Sequence, residues 1–215
     1  MKNCIALIFI LSIYSAYAQN VFDDNKAWRA EQNKEFSDSA TSPLTNEARA
    51  NFDSLPYFPI SEVYAVTAYL ELTPASKPFK MKTSTDRLAD YRQFGIAHFN
   101  IKGEDLKIPV FQNFSLLKNP KYKNYLFIPF TDLTNSVETY SGGRYVEAEI
   151  PEGDSLLIDF NKAYNPYCAY NDRYSCPIPP SESHINARIE AGVLYNSKKE
   201  KKSKNVKKPK ASVIH

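Results

Sequence analysis

The sequence predicts a mainly β protein, α+β by strict count: an antiparallel β-sandwich or open barrel with a short N-terminal helical segment. Three observations predict this class. From Val63 onward apolar residues recur with period two, the pattern of strands half-buried on a core. The candidate strands follow one another at short intervals, with turn-formers between them and few helical stretches, as in antiparallel sandwiches and barrels. Between an apolar N-terminal run and a lysine-rich tail lie about 180 residues, which suits one domain with a sizeable core.

The elements follow in chain order. Lys2, the apolar run Ile5 to Ile13 and the small-x-small triplet Ala16-Tyr17-Ala18 read as an export signal cleaved after Ala18, because the run is too short to span a bilayer. This gives a signal peptide over 1–18, a single mainly-β domain over 19–197 and a basic disordered tail over 198–215, with a periplasmic or secreted destination. Asn25 to Phe36 reads as a helix capped by Asp23 or Asp24, and Thr45 caps a second short helix through Phe52. Ser42-Pro43-Leu44 and Leu55-Pro56-Tyr57-Phe58-Pro59 are extended connectors, since proline removes donors and restrains the residue before it. In Val63 to Leu72, residues Tyr64, Val66, Ala68, Leu70 and Leu72 fall on one strand face. Phe79 and Met81 alternate with Lys80 and Lys82 in Phe79 to Thr83. Tyr91 to Lys102 and Asp105 to Phe111 form a hairpin across Lys102-Gly103-Glu104. Tyr125 to Phe130, Tyr145 to Ile150, Leu156 to Phe160 and Ala187 to Leu194 complete the strands.

The net charge of +3 conceals an asymmetry, because Lys198 to Lys210 sets eight lysines against Glu200 alone and leaves the body mildly acidic. Such a tail cannot bury apolar surface; it stays solvated or makes a weak contact with an anionic surface. An acidic exported body argues against nucleic acid as a partner. The chain lacks the G-x-S-x-G nucleophile elbow, H-E-x-x-H and paired C-x-x-C spacings. No metal and no cofactor is expected.

Cleavage of the signal removes Cys4 and leaves Cys168 and Cys176, which in an oxidising compartment form a disulfide. The nine-residue loop, counting both ends, gives about 2.5 kcal/mol of chain-entropy stabilisation. The alternative is a free thiol paired with His184 as a nucleophile system. His98, alternating with Phe94 and Ile96, reads as a core or barrel-lining histidine. Glu147 and Glu149 share a face with Tyr145; that face is either solvated or, if it lines a cleft, an acid/base couple.

Asp132 to Gly192 is the richest stretch. Tyr140, Tyr145, Tyr164, Tyr167, Tyr170 and Tyr174 accompany Arg144, Asp159, Asn161 and Asn165, offering flat apolar surfaces beside directional hydrogen bonds. Of these, Tyr140, Arg144, Tyr145, Asp159, Asn161, Tyr164 and Asn165 are the candidate ligand-binding residues, for a small polar ligand or an envelope polymer such as a glycan fragment. Arg144, after Gly142-Gly143, suits bidentate capture of a carboxylate or phosphate. The same residues can instead pin irregular loops. The competing function is an enzyme of unrecognised, hydrolase-like type using Asp159, His184 or a free cysteine.

The carboxyl-terminal half, through Tyr140-Ser141-Gly142-Gly143-Arg144-Tyr145, the run Asp159 to Tyr170 containing Asn165-Pro166 and Cys168, Tyr174 to Pro180, and Ile189-Glu190-Ala191-Gly192, resembles the bacterial domain-of-unknown-function family 1684. Weaker similarity extends back through Ser42-Pro43-Leu44 and Tyr57-Phe58-Pro59. Tyr167 stands where that family usually has a second proline, and Ser183 where asparagine is common. The resemblance implies no activity; it marks Asp159 to Cys176 as a functional candidate.

Overall fold

The computed structural model describes residues 2–195, with side chains from Asn20 onward; the lysine-rich segment Lys198 to Lys210 lies outside the described residues. Helix α1 (Lys2–Ser37) is longer than the sequence reading, and Asp23 and Asp24 lie inside it instead of capping it. Nothing in Gln19 to Asn25 interrupts a helix, since the stretch holds neither glycine nor proline. Asp24 instead pairs with Lys162 Nζ at 2.5 Å. Helix α2 (Asn46–Ala50) starts as expected, with Thr45 Oγ1 accepting from the Ala48 amide at 3.2 Å.

Seven strands form one antiparallel sheet: β1 (Ala65–Leu72), β2 (Phe79–Lys82), β3 (Leu88–Ile101), β4 (Glu104–Asn113), β5 (Tyr125–Phe130), β6 (Arg144–Glu149) and β7 (Ser155–Asp159). The order is β6-β5-β4-β3-β1-β7, with β2 beside β3. The end strands β6 and β7 return towards each other, so the sheet is nearly closed and takes the barrel alternative. The β3–β4 turn is Lys102-Gly103, both at positive φ (54° and 87°), the conformation that matches a two-residue hairpin to strand twist. The Asn100 side chain closes it by accepting from the Gly103 amide at 2.9 Å.

The main core fills the barrel. Val66, Ala68 and Leu70 of β1, Ile108 and Val110 of β4, Leu126, Ile128 and Phe130 of β5, Val146 of β6 and Leu156 and Ile158 of β7 all point into it. Phe160 lies against Phe99 and Phe130, with ring centroids 5.6 and 5.4 Å apart, an aromatic cluster that large-to-small substitution would hollow.

A register shift in the β3–β4 ladder between Gln93 and Gly95 makes the rest of the architecture possible. One extra residue inverts the in–out alternation. After the bulge Ala97, Phe99 and Ile101 face the barrel interior; before it Ala89 and Tyr91 face a second cluster with Met81, Phe111, Phe127 and Tyr145. The same shift corrects the reading of His98, which leaves the core and sits half-exposed opposite Tyr69, with Nε2 2.8 Å from Glu71.

A second correction concerns Ala187 to Leu194, which is no strand. Its backbone groups are engaged by side chains and neighbouring loops: the Ile189 amide donates to Asp132, the Ile189 and Ala191 carbonyls accept from Arg144, and the Ala187 carbonyl accepts from the Leu133 amide. A chain whose donors and acceptors are taken in this way has none left for a ladder. Only Val193 bridges a neighbour, Tyr57.

Candidate functional site

The second cluster floors a cleft on the sheet face opposite the main core. The continuous apolar run Tyr125 to Phe130 explains how: Leu126, Ile128 and Phe130 enter the barrel while Tyr125 and Phe127 stand on the other side, so both faces of β5 are covered. Neighbouring β6 sends Val146 inward and Tyr145 and Glu147 into the cleft. Tyr91 adds the β3 edge, and the rings run from Tyr91 to Phe127 (5.6 Å), Phe127 to Tyr145 (4.8 Å) and Tyr145 to Tyr164 (5.7 Å).

Three segments wall this floor. Helix α1 supplies Trp28, Gln32 and Glu35, spaced so that they share a helix face. The helix is held to the body by Asn25, whose amide donates to Asp159 Oδ2 (2.7 Å), and by Phe36 against Phe52, Tyr167 and Tyr170. The segment after β7 brings Tyr164 to the edge of β6 through a reciprocal backbone pair with Tyr145 (2.9 and 3.0 Å) and continues to Pro166 and Tyr167. Cys176 and Pro177 close the third side, held to the end of β2 through Ser84 and Lys82. The open cleft has a volume of about 410 Å³, within the range of small-molecule sites.

Glu147 Oε1 accepts from both Tyr125 (2.9 Å) and Tyr164 (2.5 Å), and Glu35 Oε1 accepts from Tyr167. Burial, and then the adjacent Glu147 charge, push the Tyr125 and Tyr164 phenols far up from their ordinary range. Both therefore stay protonated donors, and their hydroxyl–carboxylate bonds are of the strong, charge-assisted kind. The Tyr145 hydroxyl donates to Pro177 O, fixing the floor to the third wall.

The residues singled out in the sequence divide between this cleft and the scaffold. Tyr145 and Tyr164 line the cleft. Tyr140 is half-buried against Tyr195, with centroids 5.1 Å apart. Arg144 is fully buried: it donates to Asp132 Oδ1 (3.1 Å), Ile189 O (2.8 Å) and Ala191 O and lies over the Phe130 ring, so it has no face for a ligand carboxylate or phosphate. Asp159 accepts from Asn161 and Asn25; Asn161 in turn clamps Ser61 through its amide and carbonyl (2.8 and 2.9 Å). Asn165 donates to the Tyr170 hydroxyl at 3.0 Å. His184 bonds Thr131 Oγ1 at 3.0 Å, at the far end of β5 from Tyr125. Of the hydrolase candidates, neither Asp159 nor His184 lines the cleft; Cys176 does.

Cys168 and Cys176 are both thiols here, with the Cys168 amide donating to Cys176 Sγ at 3.2 Å. Sharing a hydrogen bond with Cys176 pulls the Cys168 thiol down to about 6 against the opposing effect of burial, and the same sharing pushes Cys176 up. Among the described residues no group of three or more His, Cys, Asp or Glu side chains is arranged to hold a metal ion.

Tyr167, named among the tyrosines of the dense stretch, lines the cleft, whereas Trp28, Gln32, Glu35, Tyr91, Tyr125 and Phe127 are not singled out as site residues by the sequence. Two signals pointed to them: the shared helix face of Trp28, Gln32 and Glu35, and the unbroken apolar run of β5, which requires cover on both sides.

Comparison with known proteins agrees with this architecture. The family described as protein of unknown function, DUF1684, matches residues 50–194. A solution NMR structure of an uncharacterized protein from Haloarcula marismortui is similar at 32% sequence identity and a TM-score of 0.64, covering 82% of this chain and 95% of that one. No curated protein matches. The matched family segment contains the floor and two walls of the cleft, whereas the α1 wall precedes it.

Proposed function

The chain belongs to the DUF1684 family, and from the cleft that its residues build we propose that it binds a small polar molecule between the sheet and helix α1. One observation carries this reading: a cleft of about 410 Å³ is lined by seven aromatic side chains and two carboxylates, and the phenols of Tyr125 and Tyr164 hold Glu147 in place from opposite segments. A merely structural cluster would fill its own volume, as the barrel core does. Preorganised aromatic walls with a few fixed polar groups are the composition of ligand sites.

Trp28 is the chain's single tryptophan and lines the cleft, so its emission reports occupancy. Titration with neutral sugars, amino acids and alkylamines is expected to give a saturable change for at least one of these classes. A flat response to all three classes rejects the reading.

Export belongs to the same proposal. Cleavage after Ala18 leaves every cleft residue in the mature chain and spares the anchoring contacts of Asn25 and Phe36. An oxidising compartment would then join the neighbouring Cys168 and Cys176 sulfurs, and the lysine tail supplies a weak contact to anionic envelope surfaces. Mass spectrometry of protein recovered from an exporting host is expected to show a chain starting at Gln19 whose mass lacks the two thiol hydrogens. After reduction, iodoacetamide at neutral pH should label Cys168 before Cys176, with a rate that rises through a midpoint near pH 6 as the Cys168 thiolate forms. A retained N-terminus refutes export. Equal labelling of the two thiols refutes the asymmetry between them.

A further inference from the structure

We propose that the occupant of the cleft is a small organic cation carrying a substituted ammonium group. The inference rests on the cleft being a binding site and specifies its ligand class.

Charge is the first argument. Among the described residues the lining includes Glu35 and Glu147 and no Lys, Arg or His. Arg87, whose charge acts on Tyr91 at the cleft edge, is engaged by Ser175 through Nε (2.9 Å to Oγ) and Nη2 (2.7 Å to the carbonyl). Among the described residues no ion pair of 4.0 Å or less joins either cleft carboxylate to a cation: Glu31, not Glu35, takes Lys34, and the other pairs lie elsewhere. Two carboxylates facing a partly enclosed space without a counter-ion favour a positive guest and repel an anionic one.

The walls are the second argument. Trp28, Tyr91, Tyr125, Tyr145, Tyr164 and Tyr167 offer π faces and edges around that space, and an aromatic enclosure attracts a cation through the ring quadrupole, most strongly when water is displaced. A substituted ammonium also presents alkyl surface to those rings, which a metal ion or bare ammonium does not. Hydrogen-bond directionality is the third. Both phenols converge on Oε1 of Glu147, so Oε2 is taken by neither of them, and the hydroxyls of Tyr125, Tyr164 and Tyr167 already donate to carboxylates and are not free to donate to a neutral polyol.

The test follows Trp28 emission while the mature protein is titrated with tetramethylammonium, with choline, with the neutral isostere of choline in which a tert-butyl group replaces trimethylammonium, and with N-acetylglucosamine. The expected result is saturable binding of the two cations, with choline about 30-fold tighter than its isostere, the factor that about 2 kcal/mol of desolvated cation–π attraction gives. Glu147→Gln and Glu35→Gln, each checked by circular dichroism for a retained fold, should weaken choline several-fold more than they weaken the isostere, so that the preference for the cation shrinks. If the isostere binds as tightly as choline, or if only N-acetylglucosamine saturates, the cation assignment falls and the binding cleft stands. If no probe saturates, the assignment falls together with the cleft.

Discussion

Asp132→Ala is expected to destabilise the protein by about 3–5 kcal/mol, because it strands the Arg144 guanidinium in the interior without its counter-charge. Both side chains of the pair are fully buried. Asp132 also accepts from the Thr134 hydroxyl (2.9 Å) and amide (3.2 Å) and from the Ile189 amide (2.9 Å). One carboxylate therefore organises the turn after β5, the start of β6 and the irregular return of residues 187–191. Removing it leaves a cation and several donors desolvated at once, whereas burial already pulls the proton affinity of Arg144 down against the pull of Asp132. Urea denaturation of the wild type and variant measures the loss, and a difference below about 1 kcal/mol would show that water or another group replaces the carboxylate. The double variant Asp132→Leu with Arg144→Met separates the stranded charge from the backbone pairing: it removes the unpaired cation but leaves the Ile189 and Thr134 amides and the Ile189 and Ala191 carbonyls without their side-chain partners, so it should recover only part of the loss.

That pair also shows why the chain was readable in part. Period-two alternation and, for β5, an unbroken apolar run place β1 through β7 to within a few residues, since a strand buried on one face must alternate whatever its neighbours do. Arg144 is conspicuous in the sequence for the same reason that its role is not legible there: an arginine after two glycines, beside tyrosines, looks alike whether it faces a ligand or two carbonyls and a buried aspartate. Its carbonyl partners, Ile189 and Ala191, lie more than forty residues along the chain and contribute only backbone atoms, which leave no side-chain trace. His98 shows another limit. Its facing depended on a single extra residue in β3, and a bulge is visible only once the partner strand is in register. The cleft mixes both cases. Tyr145 and Tyr164 stood within the dense stretch, and Glu147 was weighed as a cleft residue, but Trp28 and Glu35 come from a helix more than a hundred residues away. What joins them is Asn25 on Asp159 and Phe36 on Tyr170, contacts that no local pattern encodes.

Gly192→Ala should cost about 2–5 kcal/mol, combining about 1–2 kcal/mol for placing an L side chain in the left-handed region with about 1–3 kcal/mol for overpacking. Gly192 has φ 77°, and an added Cβ would lie 2.5 Å from the Ala163 carbonyl oxygen, 2.7 Å from the Ala163 Cβ and 2.9 Å from the Phe160 carbonyl oxygen. None of these atoms is the end of a flexible side chain, so relief requires the backbone to move. Gly103→Ala supplies the internal comparison: its φ is 87°, but nothing lies within 4 Å of the added Cβ. That variant should show the conformational component alone, about 1–2 kcal/mol. The difference between the two in urea denaturation isolates the steric component, and equal losses would remove it from the account. The consequence reaches the cleft, because Ala163 immediately precedes Tyr164 and its carbonyl accepts from the Val193 amide at 2.8 Å. Displacing that turn shifts the Tyr164 hydroxyl off Glu147, so where enough Gly192→Ala protein remains folded to titrate, its Trp28-monitored affinity for choline should fall while Gly103→Ala leaves it unchanged.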